Sequence, residues 1–163
     1  MSYDEVILTE SQSFTRPSDT TQYGLDELVA NSTTAGDVVP LTFSAHNNMF
    51  NEYIRRIRLT KTGTSVTSAS FRVHFYGVSP TCANGDNAAF STNQAANYYG
   101  AFDVTIAQAF TDGASGQGIP VNGSEINLQV ASGQKIYALI QAKGTYTPAS
   151  AEVFTVTIEM HRF

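Results

Sequence analysis

His46, His74 and His161 are the imidazoles of this chain. A zinc or general-base site built on them needs a His-x-x-x-His or His-Glu-x-x-His pair, or three or four ligands converging from separate segments. Neither spacing occurs, and His74 falls on the same side of its segment as Arg72 and Tyr76, where an interface or solvent histidine is expected. Cys82 is the single cysteine, with no partner for a disulfide and no histidine nearby in sequence to activate it. Asn84-Gly-Asp-Asn87 puts oxygens on a tight turn, as calcium prefers, but lacks the alternating carboxylates and late bidentate glutamate of an EF-hand, so a plain turn is expected. Gly113, Gly116 and Gly118 lack the Gly-Lys-Ser/Thr of a phosphate cradle and read as a flexible loop. The carboxylates Asp103, Asp112, Glu125, Glu152 and Glu159 could hold a glycosidase pair, yet the chain has no Trp to stack a sugar and no Gly-x-Ser-x-Gly elbow. The reading is a protein without a catalytic centre, cofactor or metal.

What remains for function is contact chemistry. Arg55, Arg56, Arg58 and Lys61 form the one local basic cluster, suited to an acidic protein partner or a phosphate, or else to a solvated strand edge. Phe14, Arg16, Pro17 and Tyr23 are isolated anchors in a polar run, able to wrap a neighbour's surface or to pack back on their own domain.

The elements that position these residues follow from composition and period. A chain of 163 residues is the length of one ordinary domain. Only 14% of it is charged, and its ten Phe and eight Tyr sit among β-branched residues, which favours strands over disorder. A net charge of −5 argues against nucleic acid as a partner, because phosphate binding needs a basic excess. No basic stretch precedes an apolar run at the N-terminus and no apolar window reaches membrane-spanning length, so neither export by a standard signal nor a membrane span is expected.

Residues 1–36 read as an arm or lead-in with one short strand candidate at 5–9 and one or two helical turns at 23–30; residues 37–163 read as the β domain. Strand candidates there are 38–44, with Pro40 demanding an edge or bulge, and 53–61, whose alternation slips between Ile54 and Ile57 as at a bulge. Others are 70–76, 98–104, 126–130, 135–141 and 152–160, with loops at 79–97 and 111–118. About eight strands suit an all-β fold of two packed antiparallel sheets, a β-sandwich of jelly-roll or, second, immunoglobulin-like topology, carrying an extended N-terminal arm.

Three segments resemble small virion proteins of tailed bacteriophages. They are Phe14-Thr-Arg-Pro-Ser-Asp-Thr-Thr-Gln-Tyr23 with Val29-Ala-Asn-Ser32, then Phe71-Arg-Val-His-Phe-Tyr76 through Ser79-Pro-Thr-Cys-Ala-Asn-Gly-Asp-Asn87, and Thr145-Tyr-Thr-Pro-Ala-Ser150 with Glu152-Val-Phe-Thr-Val-Thr157. The resemblance implies a capsid decoration or cement protein on the surface of the virion, made in the host cytoplasm. Its partners would be the major capsid protein and itself, as a homo-oligomer, dimer or trimer. The alternatives are a tail, head-fibre or adsorption component binding a host receptor or glycan, and a lectin-like or calcium-dependent carbohydrate module outside any virion.

Overall fold

A computed structural model describes residues 5–45, 52–128 and 135–162. His46 and the end of the expected strand at 126–130 lie outside them. Among the described residues the chain forms strands β1 (Val6–Thr15), β2 (Leu28–Val29), β3 (Leu41–Ser44), β4 (Glu52–Lys61), β5 (Ser70–Tyr76) and β6 (Tyr98–Thr105). These are followed by β7 (Gln108–Phe110), β8 (Gly113–Pro120), β9 (Ile126–Asn127), β10 (Lys135–Ala142) and β11 (Val153–Arg162). Two short 3-10 turns are the helical content, and neither is long or apolar enough to cross a membrane.

Every pairing is antiparallel, and the order β1-β11-β4-β8-β6-β5-β10 continues to β2 and β3 along the far edge of β10. Taken as eight long strands in chain order, one sheet holds the first, eighth, third and sixth (β1, β11, β4, β8). The other holds the second, seventh, fourth and fifth (β3, β10, β5, β6). Those are the two interlocked Greek keys of a jelly roll. Three residue pairs between β6 and β8 join the sheets at one corner, so the whole is a single curled sheet folded on itself.

The core between the sheets comes from strict alternation. Phe71, Val73 and Phe75 of β5 and Phe154, Val156, Ile158 and Met160 of β11 all point inward and are buried. Phe71 meets Tyr146 and Phe154 edge-on, with ring centroids 5.5 and 5.4 Å apart. The slip expected in β4 is real: the register against β11 shifts between Glu159 and Met160, whose partners are Arg56 and Ile54, leaving Arg55 as the extra residue. Pro40 sits just before β3, an edge strand.

Three expectations change. Residues 6–15 are not an arm: β1 pairs with β11 over ten residues, so the boundary at 36 does not separate an arm from a sandwich. The inward positions of this strand are Val6, Leu8, Glu10, Gln12 and Phe14, so its apolar alternation breaks in the middle, a weak signal beside the apolar strands. Residues 23–30 are not helical but extended, turning at 25–26 into β2. The glycine-rich run is strand β8 rather than a flexible loop. A Cβ at Gly116 would lie 2.4 Å from the Thr105 carbonyl oxygen, and one at Gly118 would lie 2.3 Å from Ile57 Cγ1. Its glycines therefore let β8 close against β4 and β6 at the corner where the sheets join.

Adding that missing methyl should cost stability where the corner is tight and nothing where space is open. Gly116→Ala is expected to lower unfolding free energy by about 1–3 kcal/mol in urea titrations. Gly36→Ala, with nothing within 4 Å of its Cβ, should change it by less than about 0.5 kcal/mol. Equal effects at the two sites would contradict the packing role of β8.

Candidate interaction surface

The two outer faces of the sandwich differ. On the β3-β10-β5-β6 sheet, outward Leu139 and Tyr76 form a second apolar cluster with Leu28, Ala30 and Cys82, with Phe90 and Val38 packed against it. The cover comes from residues 26–38 and 79–97, which bond to each other through Leu28 N–H to Ala88 O (2.8 Å), Asn87 N–H to Leu28 O (2.9 Å), Phe90 N–H to Asp26 O (2.8 Å) and Asp86 N–H to Ser32 O (2.7 Å). Beneath them His74 is stacked on Phe90 (4.6 Å between centroids) and hydrogen-bonded to Gln141 (2.8 Å) and Tyr98 (3.0 Å). It is thus a packed residue rather than an interface or solvent histidine. Burial pushes its pKa down to about 4. Cys82 is buried, and burial raises its thiol to about 11, the reverse of activation.

The segment 16–30 is tied down by a buried network. The Arg16 guanidinium donates to Tyr23 Oη (2.6 Å), Asp86 Oδ2 (3.0 Å) and Asp19 Oδ1 (3.2 Å). Tyr23 donates to Asp86 Oδ1 (2.6 Å), which also accepts the Ala30 N–H (2.8 Å). Both the Arg16 and Asp86 side chains are fully buried. Burial pushes the Asp86 carboxyl upward against the pull of the Ala30 N–H, Tyr23 and Arg16, and pushes the Tyr23 phenol well above its ordinary value. Phe14 stacks on Phe154 at 5.8 Å, and the Pro17 carbonyl accepts the Ala151 N–H. Arg16 and Tyr23 therefore direct their polar groups into their own chain. Their partner Asp86 went unread because it sits in a segment that looks like an ordinary turn.

Among the described residues the β1-β11-β4-β8 face has no second apolar cluster of this kind over it. Its register sets side chains in rows across the strands: Ser11, Thr157, Arg58, Gln117; Ser13, Thr155, Thr60, Ser115; and Thr9, Glu159, Arg56. Ser11 and Thr157 share a hydrogen bond of 2.7 Å, as do Ser13 and Thr155. The basic cluster is split by this geometry. Arg55, at the bulge, pairs with Glu5 (3.1 Å) and Glu125 (2.8 Å), and Arg56 pairs with Glu159 (2.6 Å). Lys61 turns inward to Glu152 (3.4 Å), with both side chains fully buried. Arg58 alone of the four stands exposed with no hydrogen bond or ion pair among the described residues. Beside it an open concavity of ≈ 420 Å³ runs past Thr60, Ser115 and Thr155 to Asp112 and Phe110, the last 54% exposed.

The sequence matches no protein-family model and no curated protein. Among solved structures the chain aligns with the decameric BFDV capsid protein over 98% of each chain, at 14% identity and a TM-score of 0.38, too loose to carry residues across.

Two consequences are measurable. Removing one member of a buried ion pair strands the other, so Asp86→Ala should cost about 3–5 kcal/mol in chemical unfolding; a cost below about 1 kcal/mol would show the network to be dispensable. The His74 pKa is depressed from 6.5, so the unfolded chain takes up a proton that the folded chain refuses. Its contribution is present above pH 6.5 and is lost as pH falls from there toward 4, by at most about 3 kcal/mol. His74→Gln should flatten that acid loss relative to the parent; an unchanged slope would contradict the neutral, packed imidazole.

Proposed function

We propose that this chain is a structural virion protein of a tailed phage that binds the outside of the capsid as a decoration or cement protein, bridging major capsid protein subunits through the β1-β11-β4-β8 face. The observation that carries this reading is the asymmetry of the sandwich: among the described residues one outer face is overlaid by the chain's own segments, and the other has no such layer and is hydroxyl-rich around Arg58, which has no ion pair there. On such a face few charges need to be desolvated: Arg56 is already paired with Glu159, Arg58 meets a carboxylate of the partner, and arginine is favoured at the centre of protein interfaces. The three segments resembling phage virion proteins support the same placement. Jelly rolls also serve lectins and cupins, so the fold supports the role without selecting it.

In this reading Arg56, Arg58 and the hydroxyl rows make the contact, Arg55 braces the rim, and Phe14 and Pro17 lie at the end of the same sheet. Binding to the assembled shell but not to the unfolded chain adds stability by mass action, about 2.7 kcal/mol per copy at a hundredfold excess over Kd. A closed dimer or trimer places several such faces on neighbouring subunits at once.

The concavity beside Arg58 favours one other reading, a tail or fibre component whose Phe110, Asp112 and hydroxyls hold a host glycan. Co-sedimentation with phage heads stripped of accessory proteins separates the two. The decoration role predicts saturable pelleting at a ratio fixed by capsid symmetry, weakened at least tenfold by Arg58→Glu with circular dichroism unchanged. Failure to pellet with heads, together with binding to whole host cells, would overturn it in favour of the glycan reading.

A further inference from the structure

Lys61 and Glu152 lie at the adjoining ends of neighbouring strands, Lys61 closing β4 and Glu152 preceding β11, with both side chains fully buried. Lys61 Nζ is 3.4 Å from Glu152 Oε1 and donates to the carbonyls of Gly63 (2.7 Å) and Ser65 (2.5 Å). It also lies 4.7 Å above the Tyr146 ring. The Tyr146 hydroxyl donates to the same Oε1 at 2.7 Å, while Glu152 Oε2 is buried with no hydrogen-bond partner among the described residues. Phe71 packs edge-on against both Tyr146 and Phe154, and all three rings are buried. A Cβ at position 63 would sit 1.9 Å from Glu152 Oε1, so only glycine there lets the carboxyl reach the lysine. Burial lowers the Lys61 pKa against the pull of Glu152, and so favours the neutral amine that a nucleophile requires.

We propose that Lys61 and Glu152 condense into an intramolecular amide, a covalent tie between β4 and β11. In the low-dielectric site the ammonium passes a proton to the carboxylate. The neutral Nζ then attacks Cδ, and the Tyr146 hydroxyl holds the charge that develops on Oε1. The Nζ–Cδ bond forms, the Cδ–Oε2 bond breaks, and Oε2 leaves as water with two of the three ammonium protons. An ammonium and a carboxylate become an amide and one water, with no oxidant, reductant or cofactor. The oxygen that leaves is the one the folded chain does not satisfy, the oxygen that stays keeps its bond from Tyr146, and the remaining N–H keeps one of its two backbone carbonyls. Unlike an ion pair, the tie persists in denaturant and at any pH that leaves amides intact.

Intact-mass measurement of the purified full chain under denaturing conditions tests this directly. The expected mass is one water below that of the sequence, with tandem spectra of a digest showing a branched peptide that joins the segment of Lys61 to that of Glu152. Lys61→Arg should restore the full mass. A parent chain at full sequence mass would overturn the proposal without any variant having to fold. So would a water loss that survives Lys61→Arg or maps to another residue.

Discussion

A guanidinium taken out of water must be met by a carboxylate, and the way Arg16 is met by Asp86 organises much of this molecule. Arg16 follows the last residue of β1, and Asp86 lies in the connection between β5 and β6. Joining them, with Tyr23 and the Ala30 N–H as further partners of Asp86, draws the segment after β1 and the β5–β6 connection together. The two segments rest on the outer side of the β3-β10-β5-β6 sheet, where Leu28, Cys82, Phe90 and Leu139 complete an apolar layer. Among the described residues the other outer face has no such layer.

The outer β1-β11-β4-β8 face is set with rows of polar side chains. Hydroxyls paired across strands, such as Ser11 with Thr157 and Ser13 with Thr155, satisfy one another in the free protein and are cheap to desolvate against a partner. The charges at its rim are neutralised locally, Arg56 by Glu159 and Arg55 by Glu5 and Glu125, so Arg58 carries the directional electrostatics. On the proposed role Arg58, which has no ion pair among the described residues, favours a partner that supplies a carboxylate at the matching point.

The sequence was legible where apolar side chains alternate. β5 and β11 could be read residue by residue, the irregularity in β4 appeared as a period that slips between Ile54 and Ile57, and about eight strand candidates pointed to a jelly roll, although they included 126–130 and missed β8. Legibility failed where the same physics is carried by small or polar residues. Along β1 the inward positions pass from Val6 and Leu8 through Glu10 and Gln12 to Phe14, and the outward ones are Ile7, Thr9, Ser11, Ser13 and Thr15, so little contrast marks the middle of the strand. In β8, glycine reports tight packing at Gly116 and Gly118 rather than freedom. The basic cluster was visible as a cluster, but which of Arg55, Arg56, Arg58 and Lys61 remains unpaired depends on Glu5, Glu125, Glu152 and Glu159, brought in from distant parts of the chain.

On the proposed role the β1-β11-β4-β8 face is the one that meets the partner. Electron cryomicroscopy of stripped phage heads saturated with the purified chain would show which side of the jelly roll abuts the shell. Capsid density is expected against Thr9, Ser11, Arg58 and Thr157, with the layer formed by residues 79–97 facing solvent. Density against residues 79–97, with the hydroxyl rows facing outward, would contradict it.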